Sequence, residues 1–401
     1  MAERQIYLDN AATTPIDPRV FEAMLPYLSG KYGNPSSFHT LGKQAKDDMI
    51  ESRSQIAEIL NSRSDEILFA SGGTESDNLA VLGFARANQA NGKHLITTAI
   101  EHHAVLEAMI QLEKKEGFEI TYLKPDSDGL VSASQVSEAL RPDTILVSVM
   151  YANNEIGTIQ PIKEIGNLVQ KYRKEKKQSW PVFHTDACQA SGFLDLDVEK
   201  LHVDLLTLNG SKMYGPKGVG ILYMKRGIKL QPLQFGGSQE RGLRPGTENV
   251  AGIIGMAKAL TLAQKDKVNE SKRLVQLRDK LINGILKSIP KTRLNGHLTT
   301  RLPNNVNISF LDIEGEALVL YLDAAGIFAS TGSACTSASL EPSHVILALG
   351  MPYEVAHGSI RFTLGHYTTD EDIDYVLKTL PPLVEKLRSI SPVRVDEKYY
   401  R

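Results

Sequence analysis

Cysteine is scarce in this chain: Cys188 and Cys335 are the two among 401 residues. A disulfide framework is therefore excluded, and a reducing compartment fits. An excess of charge of either sign is also missing. Forty-five Lys and Arg stand against 47 Asp and Glu, for a net charge of -2. That balance leaves no electrostatic footprint for direct binding to nucleic acid or to an anionic membrane. No stretch approaches the length of an apolar membrane span, and the opening Met-Ala-Glu-Arg-Gln-Ile-Tyr lacks the basic-then-apolar pattern of a signal sequence. A cytoplasmic protein acting on small molecules is the expectation. There is no internal repeat and no low-complexity tract.

What is present is the composition of a globular protein, 42% hydrophobic and 23% charged. Its length exceeds one ordinary core, so two domains are expected. Seven short apolar, β-rich runs, at 66–70, 94–99, 118–123, 144–151, 181–185, 204–208 and 219–224, alternate with helical patterns. Such alternation predicts an α/β fold with a mostly parallel seven-stranded sheet covered on both faces. Ligands collect where the strands of such sheets end. Composition shifts near Gln264. A charged amphipathic helix is predicted over 268–289, strands over 304–311 and 359–364, and helices over 314–325 and 369–390. The expected division is a large domain at 14–263 and a smaller α+β domain made of 1–13 and 264–401.

Several motifs lie at predicted strand ends. In Asn209-Gly210-Ser211-Lys212-Met213-Tyr214-Gly215-Pro216-Lys217-Gly218, an apolar run ends in a lysine among small residues. A partly desolvated amine there is suited to forming a Schiff base, although a solvated turn lysine has the same sequence. Ser71-Gly72-Gly73-Thr74-Glu75-Ser76 joins a strand to a helix and offers backbone amides and hydroxyls at the positive end of the helix dipole. It reads as a phosphate cradle or as a capping box. Asp186, in His184-Thr185-Asp186-Ala187-Cys188-Gln189, can hold a heteroaromatic nitrogen protonated or cap the next helix. Glu101-His102-His103 resembles a metal pair, but no complementary ligand spacing accompanies it, so no metal is expected. An imidazole stacked on a ring is the functional alternative. Asn154 can donate to a ligand oxygen or belong to a plain turn. Arg361, inside the apolar run Ser359-Ile360-Arg361-Phe362-Thr363, needs an acidic partner, either a substrate carboxylate or an internal one. Cys335, in Gly332-Ser333-Ala334-Cys335-Thr336-Ser337, lies in a run without strand or helix periodicity, which suits a nucleophile that must move. Cys188 reads as a packing residue.

In combination, the Asp186-Ala187-Cys188-Gln189, Ser211-Lys212-Met213-Tyr214-Gly215-Pro216-Lys217-Gly218 and Gly332-Ser333-Ala334-Cys335-Thr336-Ser337 motifs closely resemble those of the NifS/IscS-type cysteine desulfurases. These are pyridoxal-phosphate enzymes of the class-V aminotransferase family. The resemblance runs from Tyr7-Leu8-Asp9-Asn10-Ala11-Ala12-Thr13-Thr14 to about Thr369. It implies a fold-type I homodimer using pyridoxal 5'-phosphate, with active sites at the subunit interface. It makes Lys212, not Lys217, the Schiff-base lysine, and Cys335 the nucleophile that takes sulfur from L-cysteine as a persulfide. Asp186 would pair with the ring nitrogen, Gln189 would contact the ring hydroxyl, and His102 would stack on the ring and relay protons. Gly73, Thr74, Asn209 and Ser211 would surround the phosphate or the lysine, and Thr247 would reach the phosphate of the partner subunit. Asn154 and Arg361 would bind the substrate. Many relatives carry a serine and a histidine where this chain has Asn209 and Ser211, and the ending after Pro392 lacks the acidic and aromatic extension by which some dock an iron-sulfur scaffold. The implied sulfur acceptor is an iron-sulfur scaffold or a tRNA-thiolation protein. A selenocysteine lyase or cysteine-sulfinate desulfinase, a non-catalytic cofactor-binding scaffold and an aminotransferase are the rival readings.

Overall fold

The computed structural model describes residues 4–332 and 341–399, and Cys335 lies outside the described residues. In chain order the strands are β1 (Ile6–Tyr7), β2 (Ile67–Ala70), β3 (His94–Thr98), β4 (Glu119–Leu123), β5 (Thr144–Ser148), β6 (Val182–Asp186), β7 (Leu205–Asn209), β8 (Gly220–Met224), β9 (Thr292–Leu294), β10 (Asn305–Phe310), β11 (Ile327–Phe328) and β12 (Ser359–Thr363). The main sheet has seven strands in the order β2-β8-β7-β6-β5-β3-β4. Only β8 runs against its neighbours; the others are parallel, as the alternation of apolar runs and helices predicts. β5 and β6 are buried along their whole length, which is what a parallel sheet covered on both faces requires.

A second sheet is antiparallel, in the order β12-β10-β9, and β1 pairs in parallel with β11. Of these short strands, β1, β9 and β11 carry no sequence signal of their own at two or three residues each. Apolar side chains form distinct clusters on either side of this division. Ile6, Leu8, Val306, Ile308, Phe362 and Val376 belong to one, so the first residues of the chain pack with its last third. The N-terminal segment then runs to the main sheet, where the Thr14 amide donates to the Ser211 carbonyl at 2.9 Å.

Two features differ from the sequence expectation. Helices Pro18–Leu28 and Thr40–Leu60 precede the first strand of the main sheet, in a region for which no element is predicted above. The buried positions of the second, Ala45, Met49, Ser52, Ile56 and Leu60, do follow helical spacing, but charged residues dilute the stripe. The helix expected at 268–289 is one continuous helix, Val250–Ser288, of 39 residues. Its first third is buried on nearly every side and shows no amphipathic edge. Ile253, Met256 and Leu260 pack with the main sheet, while Leu274, Leu281 and Ile285 pack with the smaller one.

Candidate active site

The carboxyl ends of β2, β3, β5, β6 and β7 open on one cavity of about 290 Å³. Each of these strands hands its next residues to the cavity wall: Gly73 and Thr74 after β2, His102 after β3, Asn154 after β5, Asp186 and Gln189 from β6, and Asn209 and Lys212 from β7. Arg361 of β12 closes the far side. Residues widely separated in the sequence meet because parallel strands deliver their following loops to the same edge.

Lys212 ends the short turn Gly210–Lys212, which Asn209 caps by accepting from the Ser211 amide. The amine is half-buried and donates to the carbonyls of Ala11, at 2.9 Å, and of Ala12. Lys217 is exposed and lies outside this wall. Gln189 donates to the same Ala11 carbonyl at 3.0 Å. Asp186 is buried, and its Oδ1 accepts from the Cys188 amide at 2.9 Å. Burial pushes the neighbouring Cys188 thiol well above its usual range, and the adjacent carboxylate adds to the shift, which leaves that cysteine unreactive and suited to packing.

His102 caps the helix His103–Glu116, with its Nδ1 accepting from the Ala104 amide at 3.1 Å. Its remaining proton site is therefore Nε2. Burial lowers its pKa, partly opposed by Asp186, so the ring is neutral at neutral pH. Beneath it, Glu101 is fully buried and accepts from Thr98 Oγ1 at 2.8 Å and from the Met150 amide at 2.9 Å. Desolvation pushes its carboxyl up to about 8.

Arg361 has the internal acidic partner that one sequence reading requires, Asp9, at 2.9 Å, and it also lines the cavity. One terminal nitrogen donates to the carbonyls of Asn154 at 3.0 Å and Gly332 at 3.4 Å, while Nε is buried without a hydrogen-bond partner among the described residues.

Two expected residues do not reach this wall. The Ser211 hydroxyl donates to Asn209 Oδ1 at 3.3 Å, behind the lysine and not on the cavity side. Thr247 is exposed on the segment before the helix Val250–Ser288. The cavity also includes residues not anticipated as site residues: Ala11, Ala12, Asp77, His103, Glu155 and His344. The two alanines act through backbone carbonyls, which no sequence pattern marks. Asp77 had a usable signal, since it lies one helical turn beyond Thr74 and so on the same helix face. Among the described residues, no group of three or more His, Cys, Asp or Glu is arranged to hold a metal ion.

The model of the aminotransferase class-V family matches residues 6–376. The chain is 53% identical to a cysteine desulfurase IscS from Methanosarcina thermophila, over 98% of this chain and 95% of that protein. A solved NifS-like protein superposes with a TM-score of 0.88 at 38% identity, covering 96% of this chain and all of that one. A structure of SspA in complex with cysteine superposes with a TM-score of 0.77 at 36% identity, over 91% of this chain and all of its own. With the family's model spanning nearly the whole length and lysine, aspartate, histidine and arginine gathered at the strand ends, the chain belongs to the class-V aminotransferase family.

Proposed function

We infer that the chain is a cysteine desulfurase, an enzyme that takes the sulfur of L-cysteine and leaves L-alanine. The observation that carries this reading is the meeting of Lys212, Asp186, His102 and Arg361 in one cavity, in a chain so similar to a cysteine desulfurase.

The cavity fits pyridoxal 5'-phosphate. The start of the helix Gly73–Asn78 lines the cavity, so a phosphate there would meet its free backbone amides, with Thr74 beside it. Asp186 supplies the buried carboxylate for a ring nitrogen, His102 a flat neutral ring, Asn209 and Gln189 side-chain amides, and Lys212 the amine. When bound, this cofactor supplies an electron sink conjugated to the Cα of the amino acid. Ser211 supports the lysine turn through Asn209, and we assign Thr247 to the cofactor phosphate of the partner subunit.

The chain's own groups do the rest. Arg361, backed by Asp9, grips the substrate carboxylate, and Asn154 lies beside it. Lys212 Nζ takes and returns the proton at Cα. A cysteine thiol has a pKa near 8.5, so a base is needed, and we assign neutral His102, whose Nδ1 holds the ring's lone pair and would release the Ala104 amide to take the proton. The Cys335 sulfur then bonds to the substrate sulfur while the carbon–sulfur bond of the substrate breaks. The thiol proton ends on the methyl group of alanine, and a persulfide is left on Cys335. A thiol acceptor protein, serving iron-sulfur assembly or tRNA thiolation, would collect that sulfur.

We propose a homodimer, a reading supported by the exposed apolar face of the helix Pro18–Leu28, where Phe21, Leu25 and Leu28 recur at helical spacing, and by exposed Tyr32 and Phe38. We keep the division into 14–263 and 1–13 with 264–401, supported by the packing of Ile6 and Leu8 with the smaller sheet, and a cytoplasmic site of action.

Purified protein given L-cysteine and a reducing thiol is expected to release alanine and sulfide in equal amounts. A keto acid in place of alanine would point to an aminotransferase and sink the reading. Arg361→Lys is expected to raise KM for L-cysteine about 10- to 100-fold with a smaller effect on kcat, because a lysine cannot grip a carboxylate with two parallel bonds while keeping its contact to Asp9. An unchanged KM would remove Arg361 from substrate binding.

A further inference from the structure

Two carboxyls, not one, face the ring end of the cavity. Asp186 is the partner assigned above, and Asp77 lines the same wall from the helix Gly73–Asn78. Behind them a row of polar side chains crosses the sheet: Ser148 on β5, His184 on β6 and Thr207 on β7. Ser148 Oγ and His184 Nδ1 lie 2.8 Å apart, and His184 Nε2 lies 3.2 Å from Thr207 Oγ1. All of these groups are buried.

We propose that Asp77 is a positioning residue that keeps its proton beside Asp186, so that the carboxyl pair presents the cofactor ring with one negative charge instead of two. The inference rests on the cofactor reading for what the ring meets, whereas the charge state of Asp77 rests on its surroundings alone.

Among the described residues, no Lys or Arg pairs with Asp77. His184 Nε2 approaches Asp77 Oδ1 to 3.6 Å, too far for a hydrogen bond, and that nitrogen is already engaged by Thr207. Burial also drives His184 down to about 4, so the imidazole is neutral at neutral pH and the contact is not an ion pair. Among the described residues Asp77 Oδ1 has no hydrogen-bond partner, and the Thr207 hydroxyl is the one side-chain hydrogen bond that favours the charged form of Asp77, a smaller effect than burial and the charge of Asp186. The other titratable groups around it are Asp186 and Cys188 from β6 and the turn after it, Glu101 and His102 after β3, and Lys212 after β7. Lys212 directs its amine to the carbonyls of Ala11 and Ala12. A carboxylate buried with no cation to pair with is costly, and the group takes up a proton instead. Desolvation first and the charge of Asp186 second raise Asp77 well above the usual carboxylate range.

The sign of the pH dependence follows. The unfolded chain releases the Asp77 proton near its ordinary value, about 3.9, while the folded chain holds it to higher pH. Asp77 therefore costs stability as pH rises above that value and costs nothing below it. Asp77→Asn keeps the shape and removes the titration. In cofactor-loaded, full-length protein, the variant's melting temperature should gain on the parent's as pH rises from about 4 to about 8, by a few degrees in all. A difference that is independent of pH, or that widens as pH falls, overturns the proposal. Infrared spectra of parent protein labelled with carbon-13 at aspartate carboxyls alone, which leaves Glu101 silent, give a second reading that does not depend on the variant folding. A protonated-carboxyl band persisting at neutral pH is expected, and carboxylate bands alone would overturn the assignment. Failure to bind pyridoxal phosphate at all would overturn the proposed function instead, and is seen separately as absence of visible absorbance.

Discussion

Lys212→Ala is expected to lower alanine formation from L-cysteine by at least about 10³-fold, since under the proposed function one side chain would serve both as the covalent anchor of the cofactor and as the group that moves the Cα proton. The protein should also lose the yellow colour of a lysine-bound cofactor. The structure makes this lysine specific. β7 carries Leu205–Asn209 to the cavity edge, the Asn209 side chain fixes the turn, and the amine meets the Ala11 carbonyl at 2.9 Å. Lys217, five residues on, is exposed and lies outside this wall. Lys217→Ala is therefore the control that keeps colour and turnover. Reduction of the coloured protein with borohydride, followed by peptide mass analysis, should find the cofactor on the peptide containing Lys212. If Lys212→Ala stays yellow, or the label falls on another lysine, the assignment fails.

The main sheet was legible because each strand is a contiguous apolar stretch, as in Thr144–Ser148 and Leu205–Asn209, set between helical patterns. The site was legible where a side chain of distinctive chemistry stands at the end of such a stretch: Asp186 at the end of β6, Lys212 just beyond β7, His102 just beyond β3. What stayed hidden acts by other means. Ala11 and Ala12 contribute carbonyls, and they reach the lysine because β1 pairs with β11 and the Thr14 amide docks on the Ser211 carbonyl. Asp77 looks like any polar residue in the first turns of a helix until the sheet behind it supplies His184 and Thr207. The sequence posed Arg361 as a choice between a substrate and an internal partner. The fold supplies the internal one, Asp9, on one nitrogen, and leaves Nε without a hydrogen-bond partner among the described residues in a side chain that also lines the cavity. The long helix Val250–Ser288 was recognised only in its second half, because amphipathic periodicity vanishes where a helix is buried on nearly all sides.

Cys335→Ala tests the other end of the reaction, and its signature should be the reverse of that of the lysine variant. The substituted protein should bind pyridoxal phosphate and turn yellow, since Lys212, Asp186, His102 and Arg361 are untouched, and L-cysteine should still change the spectrum on binding. Release of alanine should nevertheless fall by about 10³-fold or more, because the substrate carbon–sulfur bond has no thiolate to receive its sulfur. Cys335 lies outside the described residues, but Gly332, three positions before it, lines the cavity, and its carbonyl accepts from Arg361 at 3.4 Å. A Cβ on Gly332 would stand 2.4 Å from Glu155 Oε2, the same oxygen that accepts from the Ser343 hydroxyl. One buried carboxylate thus touches the chain on both sides of the cysteine-bearing segment, close to the group assigned to the substrate carboxylate. The measurement is alanine per active site after a single addition of L-cysteine. Parent protein without a reducing thiol should form about one alanine and hold one labile sulfur per site, as a single acceptor thiol dictates, whereas Cys335→Ala should form almost none. If the variant instead turns over L-cysteine at the parent rate, the sulfur leaves without a protein nucleophile, and the enzyme is a lyase of the selenocysteine or cysteine-sulfinate kind.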